Sequence, residues 1–371
     1  MNKREFLKSC FLGMGGACLT QQVFARNNGL QIMERSSIEA RFYSVTPKGV
    51  RCLICPNECN IKEGDSGDCR SRVNKNGKLY SIAYGNPCAV HIDPIEKKPL
   101  YHFLPGTTAF SVAVAGCSLA CLNCQNWEIS QKSPAETRNY DLLPHEAVAS
   151  TLKNRCRTIA YTYSEPTTFY EYAYDTSVLA REKNIKNIFK TSGYINEEPL
   201  RKICRVIDAA NVDLKSFSNE IYLKLNAGAL QPVLNCLKIM KEEGVWLEIT
   251  NLIVPSWTDN LEMIRKMCGW LTGNGMENNP LHFSRFYPTH KLTQLPPTPV
   301  NILVKAAGIA RSEGLKFVYV GNVPGNEEAN TVCPSCKKVL IERKGYSILQ
   351  NNISGGNCIF CKAKIPGVWE L

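Results

Sequence analysis

Eleven of the chain's eighteen cysteines fall into three tight groups, at 52–69, 117–124 and 333–361. Thiols two or three residues apart are placed to share one metal site, which is the pattern of ligation and not of disulfide pairing. Eighteen cysteines in 371 residues are also too sparse, in too long a chain, for a small disulfide scaffold. The chain is therefore expected to fold around metal sites, and the spacing within each group says of what kind.

Composition narrows the class. With 44% apolar and 21% charged residues the chain is an ordinary globular one, which excludes disordered, coiled-coil and collagen-like folds. No stretch approaches the ~18 apolar residues of a membrane span. The net charge of +11 would suit an acidic partner, yet the densest basic runs, Lys97–Lys98 and Lys337–Lys338, are only two long. They read as solvated surface, and nucleic acid is not an expected partner.

The N-terminus stands apart. Lys3, Arg4 and Lys8 precede a mildly apolar stretch from Ser9 to Leu19 and then Val23-Phe24-Ala25. That order is the pattern of an export signal, similar to a twin-arginine signal with Lys3 in place of the first arginine; a frayed extension is the other reading. Residues 1–35 are thus expected to lie outside the fold, with a cytoplasmic site of catalysis and export as its alternative.

From about 110 to 321 short β-branched runs alternate with helical patterns. Strands are expected at 110–115, 158–163, 187–191, 211–215, 245–254, 281–287 and 317–321. Helices are expected at 144–154, 168–183, 197–209, 230–243, 259–272 and 298–313. Alternation of this kind implies an α/β fold with a parallel sheet and right-handed crossovers. Six or seven units suit a partial TIM barrel better than a doubly wound sheet, and place chemistry at the C-terminal strand ends. Gly-, Pro- and Asn-rich seams at 104–108 and 321–331 divide the chain. The division expected is an N-terminal four-cysteine metal-binding module at 36–105, the barrel at 106–325 and a zinc-ribbon-like module at 326–371. Both flanks show little other regular pattern.

The central group, Gly116-Cys117-Ser-Leu-Ala-Cys121-Leu-Asn-Cys124, directly follows the first barrel strand and has no fourth cysteine nearby. Thiolates suit iron–sulfur clusters. Three of them leave one iron of a four-iron cubane without a protein ligand. An open metal position is the mark of a catalytic site, as in zinc enzymes.

This motif resembles that of the radical S-adenosylmethionine (SAM) superfamily. Cys117–Gln131, Tyr161–Tyr172, Asp93–Gly106 and Ile365-Pro-Gly-Val-Trp369 narrow the likeness to the AmmeMemoRadiSam-system radical SAM enzymes, relatives of pyruvate formate-lyase activating enzyme. The resemblance covers about residues 36–371. It implies a [4Fe–4S] cluster on Cys117, Cys121 and Cys124, with SAM chelating the fourth iron. It implies reductive cleavage of SAM and abstraction of a substrate hydrogen, with an electron donor such as flavodoxin or ferredoxin. One departure stands out: Asn123 occupies the place before the third cysteine where the superfamily has an aromatic, and Trp127 is the nearby ring that would replace it.

The same resemblance assigns cofactor contacts. Ser164-Glu165-Pro166 corresponds to the segment holding the SAM amino group, a role a carboxylate and exposed carbonyls suit; a helix N-cap by Ser164 is compatible with it. Asp213 and Lys215 alternate onto one face at a strand end, where buried opposite charges need each other or a ligand. The resemblance gives Lys215 the SAM carboxylate, with Asp213 in the same polar network. Thr191-Ser192-Gly193 and Asn251 with Val254-Pro255 resemble the family's ribose and methionine contacts. Arg285, Tyr287 and His290 are further candidates, and Tyr161 and Tyr163 are equally core aromatics.

Of the flanks, Cys333-x2-Cys336 and Cys358-x2-Cys361 resemble a zinc ribbon, although mononuclear iron would fit the same sulfurs. Arg343-Lys-Gly345-Tyr346, one residue short of a glycyl-radical pattern, reads as a hairpin turn. Cys52, Cys55, Cys59 and Cys69 imply a second closed site, for zinc or, alternatively, an auxiliary cluster. Cys10, Cys18, Cys88, Cys156, Cys204, Cys236 and Cys268 read as incidental or packing thiols. Three functions are in view: a radical SAM enzyme of unknown substrate; an enzyme installing a glycyl radical on a partner protein of the same system; and a non-catalytic iron–sulfur, zinc or nucleic-acid binder.

Overall fold

The structure, a computed structural model, describes residues 37–325 and 327–370; the expected leader at 1–35, with Cys10 and Cys18, lies outside them. An eight-stranded sheet dominates: β1 Ala89–Pro94, β2 Thr108–Ala113, β3 Thr158–Tyr161, β4 Lys186–Thr191, β5 Ala209–Asp213, β6 Trp246–Ile253, β7 Leu281–Arg285 and β8 Val318–Gly321. Strand order is chain order, with β1 and β8 at the edges. Strands β2 to β8 are parallel, and β1 alone runs antiparallel, against β2.

Six helices make the crossovers: α1 Pro144–Lys153, α2 Tyr170–Glu182, α3 Glu197–Cys204, α4 Leu230–Glu242, α5 Leu261–Gly273 and α6 Val300–Ser312. All seven expected parallel strands and all six helices are present. The antiparallel β1 was not expected, because its run (AVHIDP) is broken by a charge and a proline.

The sheet is buried on both faces, as parallel sheets require. One face packs Val112, Ile159, Tyr161, Phe189, Val212, Leu247 and Phe283 into the main core with the helices. On the other, the small side chains of Ala109, Ala160 and Ala209 near the strand starts admit Ile95, Leu100, Phe103 and Leu104. Glu248 anchors this plug. Its carboxylate accepts from the backbone N–H of Tyr101 (2.9 Å) and His102 (2.8 Å) and from Trp246 Nε1 (3.1 Å), and it meets His282 Nε2 at 2.7 Å. A fully buried carboxylate with so many partners is stable where an unpaired one would not be.

The flanks are more regular than expected. Residues 38–81 form two three-stranded antiparallel sheets, and 331–358 form a three-stranded sheet and a two-stranded one. Their strands are two to six residues long, too short for a readable alternation; cross-strand pairing supplies the order that periodicity could not show. Gly345 and Tyr346 do form the hairpin turn, between Val339–Lys344 and Ser347–Asn351. The C-terminal segment closes the N-terminal end of the sheet, packing Leu340, Ile341, Cys358 and Ile365 with Tyr101, Phe317 and Tyr319. The N-terminal segment docks near the opposite end through Arg72, whose Nη2 lies 2.8 Å from both oxygens of Glu171.

Candidate functional site

The three central cysteines leave the sheet at the C-terminal end of β2. The chain turns at Gly116, whose φ of +114° suits glycine. The loop is then tied down on several sides. Ala120 N donates to Asn226 O (3.1 Å) and Leu122 N to Leu225 O (2.9 Å). Gln131 Nε2 donates to Leu119 O (3.2 Å), and Asn57 Nδ2 to Ser118 O (3.0 Å). Leu119 N points at Cys117 Sγ, 3.4 Å away, a donor that favours a thiolate. Burial pushes the Cys117 thiol well up, and the Glu165 charge adds to it. Burial also raises the Cys124 thiol, the Cys121 charge beside it adds to the shift, and Lys215 opposes it. Thiols in this setting ionise when a metal takes the proton's place.

At the end of β3 the expected cap is corrected. Glu165, not Ser164, is the N-cap of the turn Pro166–Phe169, accepting from Thr167 N at 3.2 Å. Ser164 Oγ donates instead to Val114 O (2.6 Å), fixing β3 to the strand that carries the cysteines. Pro166 presets the first turn position. The Glu165 carboxylate is buried and takes four further hydrogen bonds, from Thr167 Oγ1 (2.8 Å), Thr191 Oγ1 (2.7 Å), Ser192 N (2.8 Å) and Ser192 Oγ (2.6 Å). Ser192 is thus held to Glu165, and the ends of β3 and β4 form one polar rim.

Beyond β5, Lys215 Nζ lies 3.1 Å from Asp213 Oδ2, and its backbone N–H donates to Tyr222 OH (2.9 Å). Lys190 of β4 reaches the other oxygen of Asp213 and donates to Asn211 Oδ1 (2.7 Å). Burial alone would raise the Asp213 carboxyl, but the two lysine charges outweigh it and hold it at about 2. Burial lowers Lys190, whereas for Lys215 the Asp213 charge overcomes burial and keeps the ammonium protonated. The charges of Lys215 and Cys121 also sense one another. Cysteines, Glu165 and Lys215 therefore converge on one end of the sheet.

Asn251 is buried on β6; its Nδ2 donates to Leu214 O (2.7 Å) while Oδ1 is without a partner. Both amide atoms of Asn226 and the Oδ1 of Asn123 are buried and unpartnered too. Asn123 lies in the cysteine loop and Asn226 bonds it through Ala120 N, so their orphaned amides mark a place where a polar ligand would supply hydrogen bonds. Trp127 opens the single helical turn Trp127–Ser130 and stacks on His290 at 5.2 Å between centroids. Arg285 and Tyr287 engage each other, at 3.2 Å from Nη1 to OH. Tyr161 belongs to the core, its hydroxyl accepting from Ser177 Oγ at 3.0 Å.

Sequence reasoning missed Lys190 and the group around Asp93. Lys98, expected on a solvated surface, is buried with its ammonium 2.5 Å from Asp93 Oδ2; Lys97 takes Oδ1 at 2.8 Å and Tyr163 donates to the same carboxylate. Burial lowers Lys98 to about 8. The signal for Lys190 was a lone charge within the apolar run NIFKT; for Lys98 it was the Asp93–Gly106 motif, which spacing alone does not show to be buried.

The flanking thiols differ from each other. Cys333, Cys336, Cys358 and Cys361 draw all four sulfurs within 4.8 Å of one another. Cys333 and Cys361 are 3.6 Å apart, and Cys336 and Cys358 3.7 Å. The N-terminal four line a cavity instead. Cys156, Cys204, Cys236 and Cys268 are buried packing residues, and Cys88 is partly buried.

Fold and site together define an α/β protein with an open three-thiol centre at the mouth of a parallel sheet. A radical SAM superfamily model matches residues 112–271. The chain is 46% identical over 330 residues to the uncharacterized protein MJ0808 of Methanocaldococcus jannaschii, covering 88% of this chain and 98% of that one. It belongs to the radical SAM superfamily, for which a [4Fe–4S] cluster and SAM are the implied cofactors.

Among solved structures, a domain of a pyruvate-formate lyase-activating enzyme from Bacteroides vulgatus is 14% identical, with a TM-score of 0.39 over 44% of this chain and 98% of its own. SuiB of Streptococcus suis bound to S-adenosylmethionine is 15% identical, with a TM-score of 0.45 over 62% of this chain and 53% of its own. Likenesses at this level bear on no residue role. No helix among the described residues is long and apolar enough to cross a membrane.

Proposed function

We propose that the protein is a radical SAM enzyme of the AmmeMemoRadiSam type, with the sheet acting as an open partial barrel. The observation that carries this is the convergence of Cys117, Cys121 and Cys124 with Glu165 and Lys215 at one sheet end. When bound, the cluster and SAM supply one-electron cleavage of the sulfonium and a 5′-deoxyadenosyl radical that takes a substrate hydrogen. The chain's own residues bind and orient. Lys215, kept cationic by Asp213, meets the SAM carboxylate. Glu165 holds the Thr191–Ser192 rim in place, so that its neighbouring backbone receives the amino group. Asn251 and Asn226 offer their unpartnered amides to the rest of the cofactor, and Trp127 takes the place of the missing aromatic at Asn123.

The C-terminal thiols support a zinc reading. Four Zn–S bonds of about 2.3 Å in a tetrahedron set sulfurs about 3.8 Å apart, close to the 3.6 and 3.7 Å found. The sixteen cysteines of the described residues are all free thiols, which suits a reducing cytoplasm and an electron supply such as flavodoxin or ferredoxin.

The test is anaerobic reconstitution with iron, sulfide, SAM and a strong reductant. 5′-Deoxyadenosine is the expected product, and Cys124→Ala should abolish it. Full activity of that variant would overturn the proposal.

A further inference from the structure

Two sets of four cysteines flank the sheet, and their geometries are unlike. A single tetrahedral zinc draws four sulfurs to a common point, about 3.8 Å from one another. The C-terminal set has all four sulfurs within 4.8 Å of one another, two pairs of them at 3.6 and 3.7 Å. Among the described residues, no other group of three or more ligating side chains brings its ligand atoms within 4.8 Å of one another. The sulfurs of Cys52, Cys55, Cys59 and Cys69 therefore do not converge on one point. They line one pocket together with Arg72 and Ser118.

A second observation points into the same space. Arg72 and Ser118 also line the cavity, and both are buried. Arg72 Nε and Ser118 Oγ have no hydrogen-bond partner, although Arg72 Nη2 is fully engaged by Glu171. Two buried donors left idle beside four thiols call for an acceptor between them. Thiolates on either kind of metal accept hydrogen bonds, so the donors mark an occupied site, and the separation of the sulfurs is what distinguishes its kind. In an iron–sulfur cluster the bridging sulfides are further acceptors, and such bonds tune its potential. The Arg72 guanidinium also offsets negative charge from four thiolates.

We propose that Cys52, Cys55, Cys59 and Cys69 hold a polynuclear iron–sulfur cluster and not a zinc ion. The thiolates of such a cluster are spread over two or four irons instead of meeting at one ion, which separates their sulfurs. The site shares a wall with the first centre. Ser118 lies between Cys117 and Cys121 in the chain, and Asn57 Nδ2 donates to its carbonyl at 3.0 Å. The two clusters thus sit on either side of one loop.

The test counts metals in the full chain purified anaerobically, and needs no SAM turnover. Its outcome is therefore independent of the activity proposed above. Wild-type protein should carry about eight irons with matching acid-labile sulfide, or about six for a two-iron auxiliary cluster, together with one zinc. About four irons with two zincs would overturn the proposal. The variant Cys117→Ala/Cys121→Ala/Cys124→Ala should keep iron, sulfide and a Mössbauer signature of a cluster, and adding Cys55→Ala and Cys59→Ala should remove them. A triple variant holding zinc in place of iron, or iron without sulfide, would also overturn it. The wild-type count decides the matter even where a variant fails to fold.

Discussion

A Cβ on Gly116 would stand 2.5 Å from the carbonyl oxygen of Cys69. The backbone that launches the central cysteine loop thus lies directly on the backbone of the N-terminal cysteine module. Ser71 continues the seam, its hydroxyl donating to Thr168 O at 3.0 Å beside the Glu165 turn. The N-terminal module is therefore part of the wall that shapes the site, and not merely an appendage.

Gly116→Ala tests this seam. The added methyl meets a carbonyl and forces a positive φ, which together should cost about 2–5 kcal/mol. The expected result is a lower melting temperature with loss of iron at the three-cysteine centre. Unchanged iron content would contradict the close approach.

Asp213→Asn should leave Lys190 and Lys215 facing one another without a counter-charge, a loss of about 2 kcal/mol at neutral pH. The sign in the wild type follows from a carboxyl held below its ordinary 3.8, at about 2. Its contribution is complete above about pH 4 and disappears as pH falls toward 2. Denaturant titrations of both proteins across acid pH read the difference, which should close at the low end.

Lys215→Gln removes the ammonium assigned to the SAM carboxylate while keeping a polar side chain. A hydrogen bond to a charged group is worth about 1.5–3 kcal/mol, so the SAM dissociation constant should rise roughly 10- to 150-fold. Equilibrium dialysis against cluster-loaded protein measures it. An unaltered constant would remove Lys215 from the site.

His102 is buried between Pro366 O (2.7 Å) and Tyr319 OH (2.5 Å), and burial lowers its pKa from 6.5 to about 4. The unfolded chain binds the proton more readily, so stability should fall as pH drops from 6.5 to 4, by up to about 3 kcal/mol. His102→Gln should flatten that slope in part, since His282 is lowered as well. An identical slope in the variant would assign the effect elsewhere.

If the C-terminal thiols hold zinc as proposed, Cys336→Ser should release one zinc per chain and leave the iron count untouched, because these thiols lie at the sheet end opposite Cys117, Cys121 and Cys124. Atomic absorption on the purified variant reads both metals. Loss of iron with the zinc would join the two sites, against the geometry.

Much of this was legible in the chain. Alternating runs such as TIAYTY and VWLEITNLIV announced the parallel strands, because a period of two against one of 3.6 is a local property. Cys117-x3-Cys121-x2-Cys124 announced the superfamily for the same reason. Lys190 and Lys98 were not legible as partners of Asp213 and Asp93, since each pair is made by strands or segments remote in sequence or by burial alone. Ser164 and Glu165 show a finer limit: adjacent residues were both suited to capping, and only the position of Val114 O decided which of them did.

The sequence by itself determined the strand and helix succession, the spacing of the three central cysteines and the presence of two flanking sets of four. All three follow from spacing along the backbone. Tertiary structure decided how far apart each set of sulfurs stands. The C-terminal set closes to 3.6 and 3.7 Å, and the N-terminal set lines one pocket against the central cysteine loop. Spacing fixes which residues reach a site, but the packing around Arg72, Gly116 and Ser118 fixes where their sulfurs stand relative to one another, because those contacts are made by segments remote in sequence.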